Sequence, residues 1–425
     1  MRNRILLIAA SITSMLFLFS ACKDESPSEP ATNPTAAAEK VNQANQILIP
    51  KLVALSEGDT TALDVSAAAA LYAEALSLDA NNKDAHFGLA ITDILSIGTN
   101  SNIRNLFGSL GFLSGPGILQ SAASTSLSSY GTLMKDRLFG AFKGPLSHAL
   151  GKGSSPQADN PPSYYQNIIE TSLLPILTSA VNHLTVVLEN STYYFLITPQ
   201  LTNGATTETY RIDATEINLL KAVLQLGITE ASLVTAYNVD YDATSSTAVS
   251  QAWQPASAFL AFRTNGSQRM KDARTYFTGA ASSIQACLNY LMTEPPNAQT
   301  DLINYNPADQ SAFQAVIMGL DTVKLILSGP YTPPGGPTIN FRNFFDDAIP
   351  NYKAMVPSYT VSTQASSTLG YYDAILTWTA TSFETWIFPD PTMRGLFPGM
   401  TDADLKTWFG MDALDWQQTV IVRGS

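Results

Sequence analysis

The chain is poor in the residues that build reactive centres: it has two cysteines and three histidines in 425 residues. His86, His148 and His183 lie far apart, no two stand at ligand spacing, and no Cys/His cluster accompanies them. A zinc or haem site is therefore not expected, and neither a metal nor a cofactor is anticipated. No Gly-x-Ser-x-Gly elbow occurs, and the Gly-rich stretches lack the Lys-Ser/Thr that completes a phosphate loop, which argues against nucleophilic and nucleotide chemistry. Charge is also scarce. Only 14% of residues are Asp, Glu, Lys or Arg, and acids prevail, with a formal charge of −12. Such a surface repels phosphate backbones, so a nucleic-acid partner is not expected. After the N-terminal segment no second unbroken apolar run of membrane length follows.

What the chain does have begins at its start. Arg2 and Arg4 precede a mainly apolar run from Ile5 to Phe19, which ends in Ser20-Ala21-Cys22. A charged start, a short apolar core and small residues before a cut site describe a secretory signal peptide over residues 1–21. The run is about fifteen residues, short for a bilayer span. Phe19-Ser20-Ala21-Cys22 resembles the lipobox of bacterial lipoproteins, with Phe19 where that family usually has Leu. The resemblance implies that Cys22 is the lipidation site, acylated as by palmitate, and that it holds the mature chain to a membrane. The localisation implied is the cell envelope. Lys23 follows the cysteine, and enteric lipoproteins retained in the inner membrane carry Asp there, so the comparison points to the outer membrane. With Cys22 acylated, Cys287 has no partner. It lies in an apolar helical stripe and reads as a small core residue.

Residues 22–35, with Pro27, Pro30 and Pro34 among acids and serines, form a flexible linker that cannot bury a core. Residues 36–98 read as helical hairpins. A helix over Ala36 to Ser56 carries Val41, Ala44, Leu48 and Leu52 on one face and Pro50 as a kink. Helices follow at 66–78 and 83–96. Ala68, Tyr72 and Ala75 stand at the small–aromatic–small positions of a tetratricopeptide second helix, and His86, Leu89 and Ala90 at the next repeat's Trp-x-x-Leu-Gly slots. This segment resembles a tetratricopeptide repeat over little more than one unit. Ala80 replaces the usual Pro, and Asp93 the usual Tyr. The resemblance implies closely packed helix pairs whose small residues let the backbones approach.

Residues 99–162 form a Gly/Ser-rich insertion. Residues 163–345 form a helical core with a β-hairpin near 192–212. The core opens on a long helix kinked at Pro175. Its central helix starts at a capping box, Asp213-Ala214-Thr215-Glu216, and runs to about Ala236. Further helices are expected at 250–262, 267–292 and 307–327, the last capped by Asn306 with Pro307 at its first position, and at 341–355. Residues 346–425 read as an aromatic, loop-rich C-terminal region, dense in Pro and Gly and holding four of the five tryptophans. The fold expected is mainly α: an irregular helical-hairpin bundle of tetratricopeptide-like type, with a small β-hairpin and that loop-rich region.

No residue is singled out as catalytic. The acid pairs Asp240/Asp242 and Asp402/Asp404 lack the glycine and terminal glutamate of a calcium loop and read as solvated loop acids. Trp378, Trp386 and Trp408 are the possible ligand-facing aromatics, suited to stacking on sugars if they line a groove. The alternative is that they plug the end of the helical stack. These features suggest a non-catalytic, lipid-anchored scaffold with an envelope protein partner. The runner-up is a ligand-capturing lipoprotein, similar in general architecture to SusD-like glycan-binding lipoproteins or the tetratricopeptide component of periplasmic solute transport systems. A carboxylate-dependent hydrolase comes third.

Overall fold

The computed structural model describes residues 32–56, 64–109, 161–190, 192–202, 204, 207–294, 300–301, 303, 305–334, 336–366, 370–408 and 417–422. The expected signal peptide, Cys22 and most of the Gly/Ser-rich insertion lie outside the described residues.

The fold is mainly α-helical with two small sheets. Helix α1 (Pro34–Ser56) passes through Pro50 without ending. It lays Ala37, Val41, Ala44 and Leu48 against α2 (Ser66–Leu78), whose Ala68, Tyr72 and Ala75 are fully buried. Asn82 caps α3 (Lys83–Thr99), its side chain accepting the Ala85 N–H at 2.9 Å. The chain then leaves the stack through α4 (Ser101–Ser109) and returns in α5 (Pro162–Ile168). A single π turn (Ile169–Leu173) joins α5 to α6 (Leu174–Leu188). Pro175 cannot donate a hydrogen bond. Placing the wide turn just before it lets the helix re-register around the missing donor instead of breaking.

Helix α6 packs on α3, so the second helical pair is completed across the insertion. Thereafter α6 packs on α7 (Ala214–Ala236), α7 on α9 (Gly266–Thr293), and α9 on α10 (Gln310–Ser328). Each long helix thus rests on the next in the chain. The main core lies between α3, α6 and α7, around Phe87, Leu177, Leu184, Ile217 and Ile228. Three polar residues buried in α7 are satisfied by its own backbone: Asn218, Thr229 and Thr235 each donate to the carbonyl four residues earlier.

The predicted hairpin is present as β1 (Phe195–Ile197) and β2 (Tyr210–Ile212), with Phe195 opposite Ile212. A short β3 (Thr300–Asp301), not anticipated, pairs parallel with β2. The helix expected over 250–262 is only α8 (Ser246–Ala252). Pro255 stops it, and Leu260, at φ 59°, turns the chain so that Phe262 and Arg263 bond to Pro350 and Ala236 carbonyls. The helix expected over 341–355 is α11 (Phe341–Asp346), then a break at Pro350 and a 3₁₀ turn (Tyr352–Met355). Gly329 follows α10 as expected, but in extended rather than left-handed backbone, at φ 174°.

The C-terminal region holds a second sheet that the loop reading missed. Its order is β4 (Tyr359–Ala365), β5 (Tyr372–Trp378), β6 (Thr419–Val422), all antiparallel. Ala374 and Leu376 of β5 pack on Val249 of α8. A short helix, α12 (Asp402–Trp408), lies between β5 and β6 in sequence. By length and composition alone, three helical stretches could cross a membrane: Pro162–Leu188, Ala214–Ala236 and Pro307–Ser328. None of the three is an unbroken apolar run, since polar residues, Glu170, Glu230 and Asp321 among them, interrupt each one.

Candidate functional site

The first two of those apolar stretches are used as core, 39% and 61% buried over their apolar windows; the third is 6% buried. That third stretch is a 3₁₀ turn (Pro307–Asp309), capped by Asn306, which accepts the Ala308 N–H, and then α10. The inner side of α10 sends Leu327 and Val323 to Met270, Ala273 and Phe345. Beside them Gln285 of α9 donates to the Ile317 carbonyl at 3.0 Å and to Asp321 Oδ1 at 2.8 Å, and Lys324 donates to Gln285 Oε1. The outer side carries Ala312, Ala315, Val316, Met318, Gly319 and Leu325, all exposed, interspersed with exposed Ser311, Gln314, Asp321 and Thr322. Met318 keeps 64% of its surface in solvent, Leu325 56% and Val316 47%. A side chain built on Gly319 would meet nothing within 4 Å. The last long helix of the stack therefore leaves large apolar side chains in solvent.

A second cluster sits where β2 enters α7. The predicted capping box forms: Asp213 Oδ1 accepts the Thr215 N–H at 2.9 Å, and Glu216 Oε2 accepts the Asp213 N–H at 3.0 Å. Glu216 Oε1 takes the Ile303 N–H at 3.1 Å. Pairing of β2 with β3 sets Arg211 opposite Asp301, and the end of α9 adds Glu294. One carboxylate oxygen each from Asp213, Glu294 and Asp301 lies within 4.8 Å of the others. Arg211 is the cation among them, with Nη2 3.3 Å from Asp213 Oδ2 and Nη1 4.0 Å from Glu294 Oε1. Burial, then a side-chain hydrogen bond with Asp213 and the charges of Asp213 and Asp301, pushes the Glu294 carboxyl well above the usual range. Burial does the same to Glu216.

The sequence-predicted aromatics are not on an open groove. Trp378 and Trp386 are buried, with ring centroids 5.7 Å apart, and pack with Phe388, Leu405 and Tyr359. This is a correction to the ligand-facing reading for these two rings: they are buried among residues of the C-terminal region itself, including Tyr359 of β4 and Leu405 of α12. Trp408 ends α12, and its side chain lies outside the described residues. The loop acids are engaged by backbone N–H groups. Asp240 accepts the Ser163 N–H and Asp242 the Thr244 N–H, while Asp402 accepts the Phe388 N–H and pairs with Lys406. Cys287 is buried, and burial pushes its thiol up to about 12.

Sequence reasoning missed both features. The α10 stripe has the periodicity of an ordinary core helix, and only its neighbours decide that one side is bare. Glu294 and Asp301 carry no motif, and it is the β2–β3 pairing that brings them to Asp213. The histidines treated as unrelated also meet, His86 Nδ1 lying 2.8 Å from His183 Nδ1 across the α3–α6 contact. Comparison with protein-family models, with curated proteins and with solved structures finds no match for this chain.

Proposed function

We propose that the chain is a non-catalytic, lipid-anchored interaction protein of the bacterial cell envelope, whose α10 face receives a partner protein. The observation that carries this reading is the exposed apolar side of α10. In stacks where each helix covers the last, the terminal element normally turns a polar face to water. Here the terminal long helix leaves Val316, Met318 and Leu325 in solvent beside small residues, and large exposed apolar side chains gathered on one helix mark a contact surface. Charge favours protein over lipid as the occupant. A helix lying on a membrane surface carries Lys and Arg along its polar face, whereas α10 has Lys324 alone, held by Gln285 and Asp321. The chain as a whole is acidic.

The anchoring part of the proposal rests on Arg2, Arg4, the apolar run and Phe19-Ser20-Ala21-Cys22. The hairpins of α1 to α3 support a tetratricopeptide-like scaffold. Burial of Trp378 and Trp386 weighs against the glycan-capturing alternative by removing two of its three stacking rings.

The test is a photo-crosslinking residue at Met318 in the full chain expressed in its native envelope, with the same residue at exposed Tyr194 as control. A reproducible protein adduct from position 318 and not from 194 is expected. Adducts only with lipid, or none above the control, would overturn the protein-partner reading.

A further inference from the structure

We infer that the contact between His86 of α3 and His183 of α6 is an acid-released clasp, which opens the first turns of α3 from the last turns of α6 when both rings carry a proton. Polar residues pair along one seam between these helices, in opposite directions on each. Lys83 Nζ donates to the Val186 carbonyl at 2.8 Å and to Glu189 Oε2 at 2.9 Å. Next along the seam His86 Nδ1 meets His183 Nδ1 at 2.8 Å. Further on, Asp93 hydrogen-bonds Ser179. The clasp does not depend on what α10 receives.

The atoms in contact decide how many protons the pair can hold. The Ala80 carbonyl, 3.0 Å from His86 Nε2, can only accept, so that nitrogen carries a hydrogen. In the neutral pair His86 Nδ1 is therefore a lone pair, and His183 Nδ1–H donates to it. One added proton turns this into a charge-assisted N–H···N bond, and the contact survives. A second proton puts an N–H on each of the facing nitrogens. Two donors cannot share one 2.8 Å contact, and two like charges then lie side by side. The rings, with centroids 5.0 Å apart, must separate.

The charges on the elements packed around the pair are engaged elsewhere. On α3, Lys83 is paired with Glu189, and Asp84 Oδ1 accepts the Tyr193 hydroxyl at 2.9 Å. Helix α6 has no charged residue besides His183. On α1 and α2, Lys40 pairs with Glu74, and Tyr72 donates to Asn45. Arg104 of α4 is exposed. Glu170 of the π turn is held by Arg263. On α7, Glu216 accepts two backbone N–H groups, burial disfavours the charge of Lys221, and Glu230 is the remaining acid. Asp93 acts in the opposite sense to the histidines: burial pushes its carboxyl above the usual range, so its own proton uptake favours the closed seam. The apolar contact beneath, Phe87 and Ala90 against Leu177 and Leu184, does not titrate, so the opening stays local.

The experiment follows hydrogen exchange of the full chain by mass spectrometry at about pH 7.5 and about pH 5, on either side of the ordinary histidine value. Rates are corrected for the intrinsic pH dependence of exchange. Peptides covering His86 and His183 should lose protection about tenfold at the lower pH, while peptides of α9 keep theirs. In His183→Gln the amide still donates to His86 Nδ1 and can turn its oxygen toward a protonated ring, so the loss should disappear. A proton NMR titration in a His148→Gln background, which leaves only the pair, should show two steps more than about one pH unit apart. If His183→Gln does not fold, that titration decides alone. A single shared step near the ordinary histidine value, an equal loss of protection in folded His183→Gln, or a uniform loss over all helices would overturn the inference.

Discussion

The ring of Tyr72 lies against Gly88 so closely that a Cβ on Gly88 would come within 2.2 Å of Tyr72 Cζ. The same tyrosine donates its hydroxyl to Asn45 Oδ1 at 2.5 Å, so one side chain ties α1, α2 and α3 together. Gly88→Ala is expected to destabilise the protein by about 2 kcal/mol, because Tyr72 has no space to retreat. Tyr72→Phe keeps the packing, loses the buried hydrogen bond and should cost about 1 kcal/mol. Urea midpoints of both variants, compared at equal slope, check the order.

Most of this hairpin is readable from the chain. The spacing of Ala68, Tyr72 and Ala75 gives the buried face of α2, and Asn82 gives the start of α3. The tetratricopeptide pattern assigns the close approach to Ala90, yet the tightest contact falls at Gly88, because the Tyr72 ring determines where the backbone must yield. The capping box at Asp213 is legible because it is local. Strands β4 to β6 are harder to read. The alternation in Tyr359–Ala365 is present, but Pro and Gly nearby obscure it, and β6 joins only through a long-range pairing. The bare side of α10 and the meeting of Glu294 with Asp301 depend on what other elements do, so no local pattern encodes them.

The His86–His183 contact fixes a protonation state. His86 Nε2–H donates to the Ala80 carbonyl at 3.0 Å, so its Nδ1 accepts and His183 Nδ1–H donates. Burial, then the charge His86 would carry, holds the His183 pKa below the usual histidine value. Above about pH 6.5 both folded and unfolded chains hold it neutral. Below that the unfolded chain takes up the proton first, so this contribution to stability falls as pH falls. Glu216 and Glu294, whose pKa values are raised, act in the opposite sense. The measurement is therefore the difference between wild type and His183→Gln in denaturant midpoint from pH 7.5 to 5.5. Wild type should lose more on acidification, and parallel curves would refute the assignment.

Arg263 joins the end of α7 to the last turn of α5 and the π turn that follows it. Its guanidinium donates to Gln166 Oε1 at 2.6 Å, Asn167 Oδ1 at 2.6 Å and Glu170 Oε2 at 2.8 Å. Gln166 in turn donates to the Val234 and Tyr237 carbonyls. The Arg263–Glu170 pair is largely shielded, with side-chain exposures of 16% and 18%. Arg263→Ala leaves Glu170 without this partner and should cost about 3 kcal/mol. Arg263→Lys should recover less than half of that, since an ammonium cannot span three acceptors in one plane. Equal stability of the lysine variant and the wild type would show that charge alone matters here.

Cys287 faces the interior of α9, 5% exposed, and burial followed by the charges of Glu216 and Asp213 disfavours its thiolate. The thiolate is the reactive form, so the native thiol should resist a disulfide reagent at pH 8. With Cys22 replaced by serine to leave one thiol, modification is expected to be at least a hundredfold slower than in guanidinium chloride. Its rate should follow unfolding rather than reagent concentration. Gly88→Ala provides the internal check: by weakening the fold it should speed Cys287 labelling, although α3 and α9 are far apart in the chain. Fast labelling of the native wild type would instead mean that this end of α9 opens without global unfolding, and the carboxylate cluster beside it would open too.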